Sequence, residues 1–295
     1  MWWFKRKRGK NSQSATKAEQ PAFRVVGGRR VLADDPYVLP KDMSEVNRLD
    51  FQHFMLRYAL RGNYVAPLQP QQVHDILDVG TGTGRWAREI ATQFPAANVV
   101  GVDRVASTGE NVADVPANYV FREGNVLAGL PFPDQSFDFV HMRLLYSAIP
   151  AQLWPMVLAD LVRITRPGGW VELIEAASIE NRGPATDQLN TWVIEACSRR
   201  GLDMAIAPRL GTMLQAAGIA QPTTRQLTLP IGAYGGRLGI MLETDITEIY
   251  RGVIPLVVGQ GIATQDDYTQ MVQAFSREVN ARQMVFPFYA IYGQR

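Results

Sequence analysis

Ile76–Leu77–Asp78–Val79–Gly80–Thr81–Gly82–Thr83–Gly84–Arg85–Trp86 decides the fold. Apolar residues and a carboxylate run into three glycines spaced two apart, and a helical pattern over 85–94 follows. The order reads as strand, tight turn, helix. Glycine lets the chain turn sharply and leaves room for a ligand to lie against the backbone. The dinucleotide fingerprint Gly-x-Gly-x-x-Gly would need glycine at position 85, where Arg85 stands, so a nicotinamide oxidoreductase is disfavoured.

Outward from this stretch, apolar-rich strands alternate with helices. Strands are expected at 74–79, 98–103, 119–122, 137–143 and 170–176, with helices at 85–94 and 152–165 and a turn at Pro167–Gly168–Gly169. Such alternation predicts an α/β protein whose parallel sheet is covered on both faces, with ligands beyond the carboxyl ends of the strands. Helical runs at 185–200 and 208–217, a strand at 225–231, further helices at 237–258 and 265–281 and a last strand at 284–292 follow. A final pair of strands with helices inserted between them would bring the sheet to seven.

Upstream, residues 1–43 read as a flexible basic tail (1–20) and an irregular arm (21–43) with Pro21, Gly27, Gly28, Pro36 and Pro40 as breakers. A helix is expected from Ser44, which could cap it, to Gly62; it either packs over the mouth of the site or is an accessory helix that only buries sheet surface. The whole of 44–295 then forms one domain: an N-terminal helix (44–72), a ligand-binding core (74–176) and a substrate-side region (177–295).

Charge is uneven. Lys5, Arg6, Lys7, Arg8, Lys10 and Lys17 against Glu19 put residues 1–20 at +5, so a chain of net +2 carries −3 elsewhere. That balance argues against a body built to track nucleic acid phosphates. The charges at 5–8 follow the apolar Trp2–Trp3–Phe4 instead of preceding a longer apolar core, which is not the order of a signal peptide. No run reaches the roughly 18 apolar residues that span a bilayer. Cys197 is the single cysteine, so no intrachain disulfide forms and a reducing, cytoplasmic setting is expected. His53, His74 and His141 lie far apart and no zinc-ligand spacing occurs, so no metal is expected.

Three more stretches carry chemistry. Asp103 ends Val99–Val100–Gly101–Val102–Asp103, at the separation from the glycine turn where an acidic residue accepts ribose hydroxyls. Gly124–Asn125–Val126 follows the third strand. Phe137–Asp138–Phe139–Val140–His141–Met142–Arg143 leads into Arg163–Ile164–Thr165–Arg166–Pro167–Gly168–Gly169–Trp170.

Together and in this order, over roughly 74–176, these stretches resemble the class I S-adenosylmethionine (SAM)-dependent methyltransferases. Arg48–Leu49–Asp50–Phe51–Gln52–His53, Ala66–Pro67, Trp86 and His141–Met142–Arg143 are similar to the LaeA-like branch, which holds fungal regulators of secondary metabolism and bacterial relatives. The resemblance implies a Rossmann-like, seven-stranded, mostly parallel sheet with SAM at the carboxyl end of its first strand. It implies that Gly80, Gly82 and Gly84 let the backbone approach the methionine end and that Asp78 offsets its ammonium. Asp103 would grip the ribose and Arg104 would lie along the adenine. Asn125 stands where the family often has aspartate, its carbonyl oxygen taking the adenine amino hydrogen, with Val126 or Leu127 as a wall. Arg143 would meet the SAM carboxylate or an acidic group of the acceptor. His53, His141 and Tyr146 are candidates for a base, although His141 also reads as a buried sheet residue. The implied activity is methyl transfer to a small-molecule, secondary-metabolite acceptor, leaving S-adenosylhomocysteine (SAH). The alternative is a SAM-binding regulatory or partner-binding protein with little or no turnover. Whether the chain forms a homo-oligomer is left open.

Overall fold

The computed structural model describes residues 23–26, 29–32, 39, 43–106 and 115–295. Strands β1 (Phe23–Val26) and β2 (Arg29–Leu32) pair antiparallel, Phe23 opposite Leu32. At those eight positions they correct the expectation of an irregular arm, while 21–22, 27–28, 33–38 and 40–42 lie outside the described residues. The tail expected at 1–20 lies outside the described residues. Helix α1 (Met43–Leu60) starts ahead of Ser44, which is therefore inside the helix and not its cap.

The predicted strand–turn–helix forms as β3 (Asp75–Val79) and α2 (Arg85–Gln93). Then come β4 (Asn98–Asp103), β5 (Tyr119–Glu123), β6 (Phe137–Arg143), α3 (Trp154–Ile164) and β7 (Thr165–Ala176). Helices α4 (Pro184–Ser198) and α5 (Leu210–Ala216) lead to β8 (Thr223–Pro230). Helices α6 (Gly236–Gly259) and α7 (Gln265–Arg282) separate β8 from β9 (Val285–Gln294). The seven-stranded sheet has the order β5-β4-β3-β6-β7-β9-β8, and β9 alone runs against the rest.

Side-chain alternation along the strands sorts residues to the two faces. Ile76, Val99 and Phe139 meet Trp86, Ala87 and Ile90 of α2. Leu77, Val79, Val140 and Met142 meet Leu158 and Leu161 of α3 and Leu210 and Leu214 of α5. A third core ties Met55 and Leu56 of α1 to Leu189, Leu242, Val253, Phe275 and Phe288. One boundary is corrected. β7 begins at Thr165, not Trp170: Phe137 pairs with Thr165 and Phe139 with Trp170, so the intervening residues form a bulge inside the ladder. Gly168 supplies the positive φ, 81°, that the bulge needs.

Candidate active site

At the carboxyl ends of β3, β4 and β6 lies a crevice roofed by α1. Gly80, Gly82 and Gly84 all take positive φ, 69°, 57° and 71°, which other residues adopt only with strain. Gly80 N–H and Thr81 N–H donate to Val102 O at 2.8 and 3.0 Å, fastening the turn to β4. Asp103 is braced from two sides: Gly82 N–H reaches its Oδ2 at 2.9 Å and Arg104 N–H its Oδ1 at 2.7 Å. Each oxygen keeps capacity for a further donor. Asp78 Oδ2 accepts from Thr81 Oγ1 at 2.6 Å, and its Oδ1 faces His141 Nδ1 at 3.0 Å. Across the crevice, Asn125 Oδ1 accepts from Leu127 N–H at 3.0 Å and so caps the 3-10 turn Val126–Ala128. One lone pair of that oxygen is already used.

α1 contributes Leu49, Gln52 and His53 to the lining. It is held at both ends of its span by polar contacts. Thr83 Oγ1 donates to Asp50 at 2.6 Å, and Arg57 reaches Glu89 of α2 at 2.7 Å. On the other side Arg48 bonds Glu45 through two nitrogens and Asp245 of α6 at 2.9 Å, while Gln52 Nε2 donates to the second Asp245 oxygen at 2.9 Å. His53 links the roof to the floor. Its Nε2 is 3.2 Å from Glu89 Oε1, and its Nδ1 faces Arg143 Nη2 at 3.4 Å. Burial, helped by the Arg143 charge, pushes the His53 pKa down to about 4, so the ring is neutral near pH 7. Burial also lowers the Arg143 pKa, against the pull of Asp78, Glu89 and Glu172. Among the described residues no carboxylate lies within 4 Å of that guanidinium, which lines the crevice.

His141 and Tyr146 differ in kind. His141 is fully buried, with its ring stacked on Trp86 at 3.8 Å. Tyr146 lines the crevice, and burial followed by the nearby Glu175 raises its pKa, so the phenol stays protonated. The turn carrying Leu145 and Tyr146 is held by Glu175 of β7, which accepts their N–H groups at 2.8 and 3.2 Å.

Beyond Tyr146 the lining changes character. Val193 and Cys197 of α4, Ile249 and Val253 of α6, and Phe286 and Phe288 of β9 form an apolar wall, with Asp245 at its edge. No sequence motif pointed to these residues. The aromatic run Phe286–Pro287–Phe288–Tyr289 was the available signal. Thus Asp78, Gly80, Gly82, Asp103, Arg104, Asn125, Val126, Arg143, Tyr146 and His53 line one crevice, whereas Gly84 opens α2 outside the lining and His141 lies beneath it. Among the described residues no group of three His, Cys, Asp or Glu is arranged to hold a metal ion, and no helix is long and apolar enough to cross a membrane.

Residues 76–169 match the family model described as a methyltransferase domain. Over 205 residues the chain is 30% identical to methyltransferase str3 of Strobilurus tenacellus, covering 68% of this chain and 72% of that one. The chain belongs to the class I SAM-dependent methyltransferases. It is also 29% identical over 211 residues to the secondary metabolism regulator LAE1 of Cochliobolus heterostrophus, 67% of each chain. The methyltransferase shares its fold with phosphoethanolamine N-methyltransferase 2 of Haemonchus contortus, solved with phosphomonomethylethanolamine and SAH, at a TM-score of 0.51 and 16% identity, covering 90% of this chain and 61% of that one. The crevice fits the family's cofactor on its own chemistry. It offers a carboxylate braced by backbone N–H groups, an arginine without a close carboxylate, and a turn whose glycines carry no side chain toward the ligand.

Proposed function

We propose that the polar half of the crevice binds SAM and that the apolar half holds a small, largely apolar acceptor of secondary metabolism. One observation carries this reading. A single crevice has Asp78, Asp103 and Arg143 at one end and Ile249, Val253, Phe286 and Phe288 at the other, with the Tyr146 turn between. When bound, SAM supplies a methyl group already activated by the sulfonium charge. The chain supplies position and dryness. Asp103 accepts the ribose hydroxyls while its own backbone contacts hold it still. Arg143 pairs with the methionine carboxylate, which explains a half-buried guanidinium whose near neighbour is a neutral histidine while Asp78, Glu89 and Glu172 act only from beyond ion-pair distance. Asp78 offsets the ammonium.

No base emerges among the expected candidates. His53 has both ring nitrogens turned to Glu89 and Arg143, His141 is sealed under Trp86, and the Tyr146 phenol holds its proton. The site therefore suits an acceptor whose attacking atom already carries a free lone pair or an electron-rich carbon.

The test pairs SAH calorimetry with transfer of labelled methyl from SAM to fractionated small-molecule extracts. One-to-one SAH binding with label in an apolar fraction is expected. Failure to bind SAH overturns the cofactor reading. The likeness to a protein named a regulator favours a second reading, a SAM-binding partner protein. It predicts SAH binding without label in any small-molecule fraction.

A further inference from the structure

Asp78, His141 and Glu172 are in-register neighbours across β3, β6 and β7. Three ionisable side chains in one row of a sheet interior are unfavourable unless they satisfy one another. The row is sealed. Asp78 is 4% exposed and the other two are 0% exposed. The Trp86 ring lies 6° from the plane of the imidazole and is itself fixed by its N–H bond to Asn63 O at 2.6 Å. Both ends are anchored. Asp78 Oδ2 holds Thr81, and Glu172 Oε2 accepts Val65 N–H at 2.8 Å and Ala66 N–H at 2.6 Å, in the segment that leaves α1. Two atoms remain. His141 Nε2 and Glu172 Oε1 are buried without a hydrogen-bond partner, and they face each other at 3.9 Å.

We propose that Glu172 is a positioning residue for donor binding. Its carboxyl O–H, carried on Oε1, donates to His141 Nε2 and fixes the imidazole in the Nδ1–H form that holds Asp78 at the glycine turn. The bond closes when the gap shrinks to about 2.8 Å. Oε2 already accepts two N–H groups, so the proton belongs on Oε1. Burial raises the Glu172 pKa to about 7 and lowers that of His141, which favours a neutral glutamic acid and a neutral imidazole. Arg143 is the cation that acts on all three members of the row, and Tyr64 is the other titratable group that Glu172 influences. The row thereby couples the exit of the roof helix to the carboxylate at the turn.

The consequence for ligands rests on the reading above, in which Asp78 meets the SAM ammonium. Without a donor at Nε2 the ring is free to take the other tautomer, and Asp78 loses its N–H partner. The experiment uses the full chain and two ligands, SAH and an SAH analogue lacking the amino group. Nitrogen-15 spectra of the three histidines, assigned with His53→Gln and His74→Gln, read the tautomer of His141. We expect Nδ1–H with a hydrogen-bonded Nε2 in the wild type and in Glu172→Gln, whose amide can donate to Nε2 and accept from residues 65 and 66. We expect Glu172→Leu to lose that signature and to bind SAH about tenfold more weakly, with the deaminated analogue changed less than about twofold. A wild-type Nε2–H tautomer or imidazolium overturns the proposal. So does a Glu172→Leu variant that keeps SAH affinity or weakens both ligands alike. If Glu172→Leu does not fold, the wild-type spectrum and Glu172→Gln decide. If the wild type binds no SAH, the donor reading fails while the spectrum still judges the row.

Discussion

Asp103→Ala is the sharpest probe of the donor half. Asp103 makes two backbone contacts, to Gly82 and Arg104, and is only partly buried, so water can replace the lost acceptor. The fold should lose about 1 kcal/mol, a melting shift of about 2–4 °C in a chain of this size. Ligand binding should suffer far more. Two ribose hydroxyls each donating to a carboxylate are worth roughly 1.5–3 kcal/mol apiece. After water takes back part of that, a loss of about 3 kcal/mol, over 100-fold in SAH affinity, is expected. Calorimetry with SAH and differential scanning calorimetry measure the two quantities. A loosened glycine turn could weaken binding without any sugar contact. A cycle with 2′-deoxy-SAH separates these cases, because only a direct contact couples the ligand change to the protein change. Wild-type affinity in the variant, or a coupling near zero for both the 2′- and 3′-deoxy ligands, would refute the assignment.

Gly82→Val should abolish measurable SAH binding, since φ 57° opposes a β-branched residue and the side chain would fill the cradle beside Leu49; retained binding in calorimetry would place the donor elsewhere. Asp245→Ala leaves the buried Arg48 with Glu45 but strips its tie to α6, and a stability loss of about 2–4 kcal/mol in urea unfolding is expected. Phe288→Trp should shrink the apolar half, leaving SAH affinity unchanged while raising the acceptor KM at least about tenfold; an equal loss of both would refute the division of the crevice. Burial raises Glu172 to about 7 and Glu175 to about 8, so each holds a proton when folded that it loses when unfolded above about pH 4.5. The folded state then binds more protons, and stability falls as pH rises through these values. Between pH 6.5 and 8.5 this loss outweighs the opposite, smaller contribution of His53 and His141, whose pKa values burial lowers, so urea unfolding should show a net loss of roughly 2 kcal/mol, and a flat profile would contradict it.

Local signals made the donor half legible. The glycine turn, Asp103 and the strand 137–143 each announce themselves within a few residues, because the turn and the strand period are set by near neighbours. The roof was only half visible. The helical period of 44–61 gave the helix, but its seat over the crevice depends on Asp50 meeting Thr83 and on Arg48 meeting Asp245, nearly 200 residues away. Glu172 and Glu175 were overlooked, although two carboxylates in a strand buried on both faces conflict with its apolar pattern and mark a site where backbone N–H groups await acceptors. The apolar wall was illegible for a simpler reason. Val193, Ile249 and Val253 follow the same helical period as residues that only fill the core, so periodicity cannot tell a lining residue from a buried one. The paired strands at 23–26 and 29–32 and the bulge at 166–169 were misread because glycine pairs in a sequence signal both a break and a continuation with altered geometry.

The helices that wall the apolar end enter the chain after β7, and α6 with α7 fills the gap between the last two strands. Under the proposed division of the crevice, donor recognition and guest selection are written in separate stretches of the gene. Exchange of the later stretch can retune which molecule is modified while the earlier one keeps its sequence. Any such exchange has to keep Asp245, because the same α6 holds the roof helix through Arg48 and Gln52.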